Sequence, residues 1–283
     1  MTDASDPLQF LPMDKWESLE LVFKDDWPRG ISAYTVLQAQ RALVEKGLGY
    51  GFDVYCPYGD VSNGMVALNK KFNFYEVWIQ CPTDDTKQLE NAILSSNVID
   101  WSKEIMVPIL PQHVFEVLLR VTQKKGVLCE KDRYPPLDLV IYEKSKPPFK
   151  NVCLPKGIRF GPVLKEDIDM VDSTWIVRYE GSKWLFSLLI KADQSFALYK
   201  DEELVSYVFI SEVGILAHLY TTDNHRGKGY ATLLLKLLCN KYLEEKRDLF
   251  GYCERGNENA LRLYESLGFD TLHYIRYAPV KPK

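Results

Sequence analysis

The chain is 283 residues long, 46 % hydrophobic and 26 % charged, which supplies apolar material for two globular cores and excludes the disordered and fibrous classes. Its net charge of −4 argues against a basic nucleic-acid-binding face, and no segment approaches the about 20 apolar residues of a membrane span. Acids at Asp3 and Asp6 stand where a secretory or mitochondrial leader carries Lys or Arg, so a cytoplasmic protein without nucleic-acid or membrane partners is expected.

The first helix is expected over Ser32–Lys46, with Val36, Ala39 and Leu43 among its apolar positions and Gly47 closing it. Aromatic and β-branched runs predict strands at Gly51–Cys56, Met65–Leu68 and Asn73–Cys81. A helix near Thr86–Leu94, a strand at Glu104–Leu110, a helix over Gln112–Lys125 closed by Gly126 and a strand at Leu137–Tyr142 follow. Prolines then crowd the chain at Pro135, Pro136, Pro147, Pro148, Pro155 and Pro162, and Glu143–Lys150 can be neither regular helix nor central strand. A linker is therefore placed at 144–155. Beyond it the pattern predicts a strand at 158–162, helices at 165–178 and 181–191, and strands at 195–200, 203–211 and 214–221. A helix at 229–245, a strand at 248–253, a helix at 257–267 and a strand at 270–278 complete it. From their three consecutive strands onward the two halves then share the element order β-β-β-α-β-α-β, without a residue-level repeat. The six cysteines form no Cys-x-x-Cys pair and the four histidines no His-x-x-x-His pair, so neither a metal site nor a disulfide framework is expected.

The segment suited to chemistry is Gly214–Leu238. A strand runs into a polar turn, then Gly227 and Gly229, then a helix carrying Ala231, Leu234, Leu235, Leu238 and Tyr242 on one face. The glycines let the backbone approach a ligand without a Cβ in the way. The first helical amides lack intrahelical acceptors and lie at the positive end of the helix dipole, so the turn suits a phosphate or diphosphate. Arg226 and Lys228 add positive charge. The P-loop pattern fails because Lys228 is followed by Gly229, and the dinucleotide fingerprint fails because position 232 is Thr.

The string Arg226-Gly-Lys-Gly-Tyr-Ala231 resembles the Arg/Gln-x-x-Gly-x-Gly/Ala acyl-CoA-binding motif of the GCN5-related N-acetyltransferase (GNAT) superfamily. Asn257-Glu-Asn-Ala260-Leu-Arg-Leu-Tyr264-Glu-Ser-Leu-Gly268-Phe269 resembles the same family's Asn-x-x-Ala-x-x-x-Tyr-x-x-x-Gly-Phe helix. The motifs stand in the family's order, each on the right element. A first half lacking the phosphate motif, followed by a complete domain, is similar to the glycine N-acyltransferase-like family, whose C-terminal part is of the FR47 type.

The resemblance implies an α/β fold of two tandem GNAT-like halves, each a mixed twisted β-sheet flanked by helices. Residues 1–143 would be a degenerate GNAT-like domain, and 156–283 the catalytic one. Acyl-CoA or acetyl-CoA would be the co-substrate, with no metal. It implies that amides of Gly227, Lys228, Gly229, Tyr230, Ala231 and Thr232, beside Arg226, hold the diphosphate. Leu219, Tyr220 and Thr221 would offer backbone groups to the pantetheine, Asn257 would cap its helix and touch the cofactor, and Tyr264 would protonate the leaving thiolate. Glycine-acyltransferase-type relatives carry a glutamate at the position of Ile215, which cannot accept a proton; Glu212 and His218 are both candidates for that base. The implied activity is direct transfer of an acyl group, in a ternary complex, to glycine or another small primary amine. A non-catalytic acyl-CoA-binding protein and a protein N-acetyltransferase are the alternatives. In the first half, Cys81-Pro-Thr-Asp-Asp-Thr86 replaces the glycine turn: Pro82 has no amide to donate, and Asp84 and Asp85 would repel a diphosphate while starting a helix well.

Overall fold

The computed structural model describes residues 5–72 and 74–283. They fold as two compact units, one formed by the chain up to Leu137 together with His273–Lys283, the other by Asp138–Leu272. In chain order the first contains β1 (Leu8–Phe10), α1 (Trp16–Asp25), α2 (Ile31–Glu45), β2 (Phe52–Pro57), β3 (Met65–Lys71), β4 (Phe74–Gln80), α3 (Lys87–Ser95), β5 (Ile105–Leu110), α4 (Gln112–Lys125) and β6 (Leu128–Cys129). The second contains β7 (Leu137–Tyr142), β8 (Ile158–Gly161), α5 (Ile168–Ser173), α6 (Ser182–Lys191), β9 (Ser195–Lys200), β10 (Glu203–Ile210), β11 (Leu216–Thr221), α7 (Tyr230–Glu244), β12 (Leu249–Glu254) and α8 (Glu258–Ser266). The last strand, β13 (Asp270–Lys281), starts in the second unit and joins the first from His273 onward.

The first unit's sheet runs β1-β2-β3-β4-β5-β13, antiparallel except for the parallel β4–β5 pair at Glu76 and Met106. Strand alternation sends Val66, Leu68, Val77, Ile79 and Val107 to one face, where Leu89 and Ile93 of α3 and Val114, Leu118 and Val121 of α4 cover them. The second unit's sheet runs β7-β12-β11-β10-β9-β8, with β11 and β12 parallel. There Val205, Val208, Ile210 and Leu216 pack against Leu234, Leu235 and Leu238 of α7. The expected element order recurs in both halves, with the short β6 added before β7.

Four features depart from the sequence reading. Before Ser32 lie β1 and α1, anchored by buried Trp16, Leu19 and Phe23 at helical spacing, with the Trp16 indole donating to the Leu11 carbonyl at 3.0 Å. The helix expected over 165–178 ends at Ser173, because the Thr174 hydroxyl bonds back to the Met170 and Val171 carbonyls and satisfies the last turn locally. The strand expected from Asn73 begins, among the described residues, at Phe74; Asn73 lies outside them. The division at 144–155 also differs from the packing: β7 residues from Asp138 belong to the second unit, and His273–Lys283 belong to the first. Strand pairing made this exchange. Val140 and Tyr142 pack in the second unit's core, whereas Ala278 and Val280 lie in the first unit's core and pair with Val107 and Ile105 of β5.

The acids of the first half's turn act structurally. Asp85 Oδ1 accepts from the Lys87 amide at 3.1 Å, and Asp84 pairs with Arg29 at 2.6 Å.

Candidate functional site

The β10–β11 pairing positions the site. Ser206 faces Thr221 and Tyr207 faces Tyr220, but Phe209 faces Ala217, so β11 carries an extra residue between these pairs. That bulge holds His218 at φ +52°, a conformation that side chains other than glycine adopt only under local constraint. On its other side β11 meets β12 at Leu216 and Gly251, and among the described residues no further ladder pair joins the two strands toward Thr221. Residues Ala217–Thr221 are accordingly half-buried. Leu219 packs toward the α7 core; Tyr220 turns to the opposite face, its ring 5.7 Å from that of Tyr207.

At the end of β11 the Thr221 hydroxyl meets the Ser206 hydroxyl at 2.9 Å, and the Arg226 guanidinium donates to the Thr221 carbonyl at 3.2 Å. Arg226 also lies over the Tyr220 ring and pairs with Asp223 at 2.9 Å. Lys228 donates to the Asn224 carbonyl at 2.8 Å. Together these bonds fix the polar turn. Gly227 and Gly229 adopt φ of +73° and +77°, and a Cβ built at either position meets nothing within 4 Å. The open space is therefore next to the backbone itself. Gly229 caps α7 without any side-chain hydrogen bond, which leaves the amides of Tyr230, Ala231 and Thr232 without intrahelical acceptors. An uncapped amide cluster, a helix dipole and two exposed cations fit the diphosphate of a CoA thioester. Tyr230 itself packs edge-on against His225, 6.1 Å between centroids.

Tyr264 is buried on α8, its ring 5.1 Å from Phe269, within the same cluster as Cys239 and Cys253. Its hydroxyl finds no hydrogen-bond partner among the described residues. Burial, with the Cys253 and Cys239 thiols nearby, pushes its pKa up, so the phenol keeps its proton. Burial likewise raises the Cys253 thiol to about 11, which makes it a poor nucleophile. Asn257 caps α8, accepting from the Ala260 amide at 3.2 Å.

The two base candidates part company. Glu212 lies outside β11, in the 211–215 turn, only 2 % exposed and engaged with its neighbours. His218 reaches across to α5, where its Nε2 stands 2.9 Å from the Val171 carbonyl. A carbonyl only accepts, so Nε2 carries the proton and Nδ1 presents a lone pair that has no partner among the described residues. Burial lowers the His218 pKa to about 4, and the ring is neutral at physiological pH. Tyr207 and Trp175, which flank this imidazole at 5.2 and 6.2 Å, escaped the sequence reading. No local motif marks them, since they meet His218 only through strand pairing and helix packing. Among the described residues no group of three or more His, Cys, Asp or Glu could hold a metal ion, and no helix is long and apolar enough to cross a membrane.

Residues 196–277 match the FR47-like protein family. No curated protein sequence matches the chain significantly. Among solved structures, a Drosophila protein superposes with a TM-score of 0.83 at 16 % identity, covering 99 % of both chains. A tandem GNAT protein from the clavulanic acid biosynthesis pathway gives 0.56 at 12 % identity over 96 % of this chain and 97 % of its own. A GCN5-related N-acetyltransferase-like protein from Streptococcus suis gives 0.50 at 12 % identity over 95 % and 99 %. The structural likenesses give the fold of two GNAT-like halves, and the matched segment contains the bulged β11, the glycine turn and α7. The chain thus has a fold of two GNAT-like halves, and its segment 196–277, which holds both signature motifs, matches the FR47-like family.

Proposed function

We propose that the protein is an N-acyltransferase that moves an acyl group from acyl-CoA to a small primary amine in a ternary complex. The observation that carries this reading is the β11 edge: strand pairing to β12 stops at Leu216, and the freed strand leads directly into the uncapped, glycine-opened start of α7. In this reading the amides of Gly227–Thr232, with Arg226 and Lys228, hold the diphosphate. The backbone of Leu219, Tyr220 and Thr221 takes the pantetheine as an added strand would. The acyl-CoA, once bound, supplies an activated thioester.

The chain's own residues then position the partners and move protons. His218 Nδ1 accepts the proton that the amine nitrogen releases as its bond to the thioester carbon forms. The Tyr264 hydroxyl delivers a proton to the sulfur as the carbon–sulfur bond breaks; His218 then gives its proton to solvent and Tyr264 regains one from it. The products are the amide and free CoA thiol. A rival reading, acyl-CoA binding without turnover, draws on the apolar Ile215 at the position of the relatives' glutamate. One experiment separates them: release of free thiol from acetyl-CoA across a panel of amines, with acetyl-CoA affinity measured by calorimetry. Amine-dependent thiol release is expected. Binding without release on any amine selects the rival. Lys228→Glu, an exposed change beside the helix start, should weaken acetyl-CoA binding at least tenfold, about 1.4 kcal/mol. Undiminished affinity would remove the diphosphate from this turn.

A further inference from the structure

His218 and Tyr220 project from β11 on the face opposite Leu219, and the groups around them share one chemistry. Ring centroids of Tyr207, Phe186, Trp175 and Phe209 lie 5.2, 5.6, 6.2 and 6.3 Å from the His218 imidazole, and that of Tyr220 lies at 6.4 Å. Tyr207, Phe186 and Phe209 are fully buried. Trp175, His218 and Tyr220 are half-buried and form a rim that reaches solvent. Beside Trp175, Ile176 is 93 % and Val177 51 % exposed, so the rim continues as apolar side chains presented to water.

The charges near these rings are mostly engaged. Asp172, buried on α5, accepts from the Ser182 hydroxyl. Arg226 is held by Asp223, the Thr221 carbonyl and the Tyr220 face. Arg178, exposed on the loop after Trp175, is the cation a carboxylate would have to recruit.

We propose that these rings open a recess that binds the body of the acceptor, and that the acceptor is an arylalkylamine: a primary amine on a short chain that ends in an aromatic ring and bears no carboxylate. The proposal rests on the acyl-transfer reading above and assigns its acceptor class. Offset and edge-on ring contacts favour an aromatic guest, and the electron-rich face of Trp175 favours an approaching ammonium. Glycine offers these rings no apolar surface to cover, and its carboxylate would lose water without a dedicated partner. An amine seated here lies against His218, whose Nδ1 is the group available to take its proton. Tyr207 helps fix that imidazole: its hydroxyl bonds Thr174 and stands 3.4 Å from His218 Nε2.

The test uses the full chain with acetyl-CoA and compares phenethylamine, butylamine and glycine. Phenethylamine should show kcat/KM at least tenfold above both others, and calorimetry in the presence of CoA should detect phenethylamine binding but not glycine binding. Trp175→Ala should raise KM for phenethylamine at least fivefold, more than for butylamine, and weaken its calorimetric binding by a similar factor. Arg178→Ala should leave phenethylamine turnover unchanged. The proposal is overturned by preferred use of glycine with loss of that activity in Arg178→Ala. It is also overturned by equal losses on both amines in Trp175→Ala, or by an aromatic preference that follows benzoyl-CoA instead of the amine. If no amine supports thiol release, acyl transfer itself fails. Phenethylamine binding that depends on Trp175 then still sustains the recess, and its absence overturns the recess too.

Discussion

Gly251 faces Leu216 at the register point from which β11 and β12 separate, and replacing it with alanine tests whether that point is close-packed. A Cβ at this position would lie 2.9 Å from the Leu216 carbonyl oxygen and 3.3 Å from Leu216 Cβ. The oxygen is backbone in a paired strand and cannot rotate aside. Gly251 is not one of the chain's left-handed glycines, so alanine can adopt its backbone and the effect is steric. Forcing a methyl group into such a contact costs about 1–3 kcal/mol. The lower entropy of the unfolded alanine chain offsets up to about 1 kcal/mol of that. Gly251→Ala is therefore expected to lose roughly 1–2 kcal/mol, a fall of roughly 2–6 °C in Tm. The two strands should also be displaced at the start of the opening, weakening acetyl-CoA binding several-fold. Gly229→Ala provides the contrast: its Cβ meets no neighbour, but its φ of +77° costs about 1–2 kcal/mol with no displacement of β12. Denaturant midpoints and calorimetry read both variants. A Gly251→Ala protein with unchanged midpoint, slope and affinity would refute the close contact and the role of this register point.

Tyr264→Phe keeps the buried ring and its packing and removes only the hydroxyl, so stability and acetyl-CoA affinity should hold while turnover falls at least about tenfold, ~1.4 kcal/mol of barrier; undiminished single-turnover rates would leave Tyr264 as core only. Burial depresses the His218 pKa from 6.5 to about 4, so the unfolded chain binds a proton the folded chain refuses, and stability falls as pH drops through that window. The contribution, on the order of 3 kcal/mol, is intact above the window; His218→Gln should flatten this part of the pH–stability curve relative to the parent, and parallel curves would contradict it. Asn257→Ala should cost about 1 kcal/mol by freeing the Ala260 amide, whereas Asn257→Asp should keep the cap; equal denaturant midpoints for the two variants would show that the cap is idle.

What could be read from the sequence was what neighbouring residues encode together. The turn at Gly227 and Gly229, the apolar face of α7, the cap at Asn257 and the Tyr264 helix each follow from spacing within one element. The bulge at His218 left no local mark, because it is a mismatch between two strands. Trp175, Phe186 and Tyr207 read as ordinary apolar residues until helix packing and strand pairing bring them to one imidazole. Glu212 and His218 looked equivalent on a strand expected to run over 214–221; the turn at 211–215 takes Glu212 out of β11 and leaves His218 in it. The exchange of β7 and β13 was hidden for the same reason, since a proline-rich linker marks where the chain bends and not which sheet a strand enters.

The membership of β13 also sets an order of assembly on the ribosome. Domains generally fold as units from the N-terminus while synthesis proceeds. The first unit cannot finish that way, because the side of β5 away from β4 stays unpaired until residues 273–281 have been made, after the whole of the second unit. Until then Ile105, Val107, Ile109 and Leu110 form an apolar strand with an open edge, a template for pairing with other nascent chains. Chains released at Leu272 should therefore be caught by chaperones or found in the insoluble fraction. Supplying residues 273–283 as a separate peptide during translation should recover part of the soluble pool, and the newborn protein stays vulnerable at its oldest end.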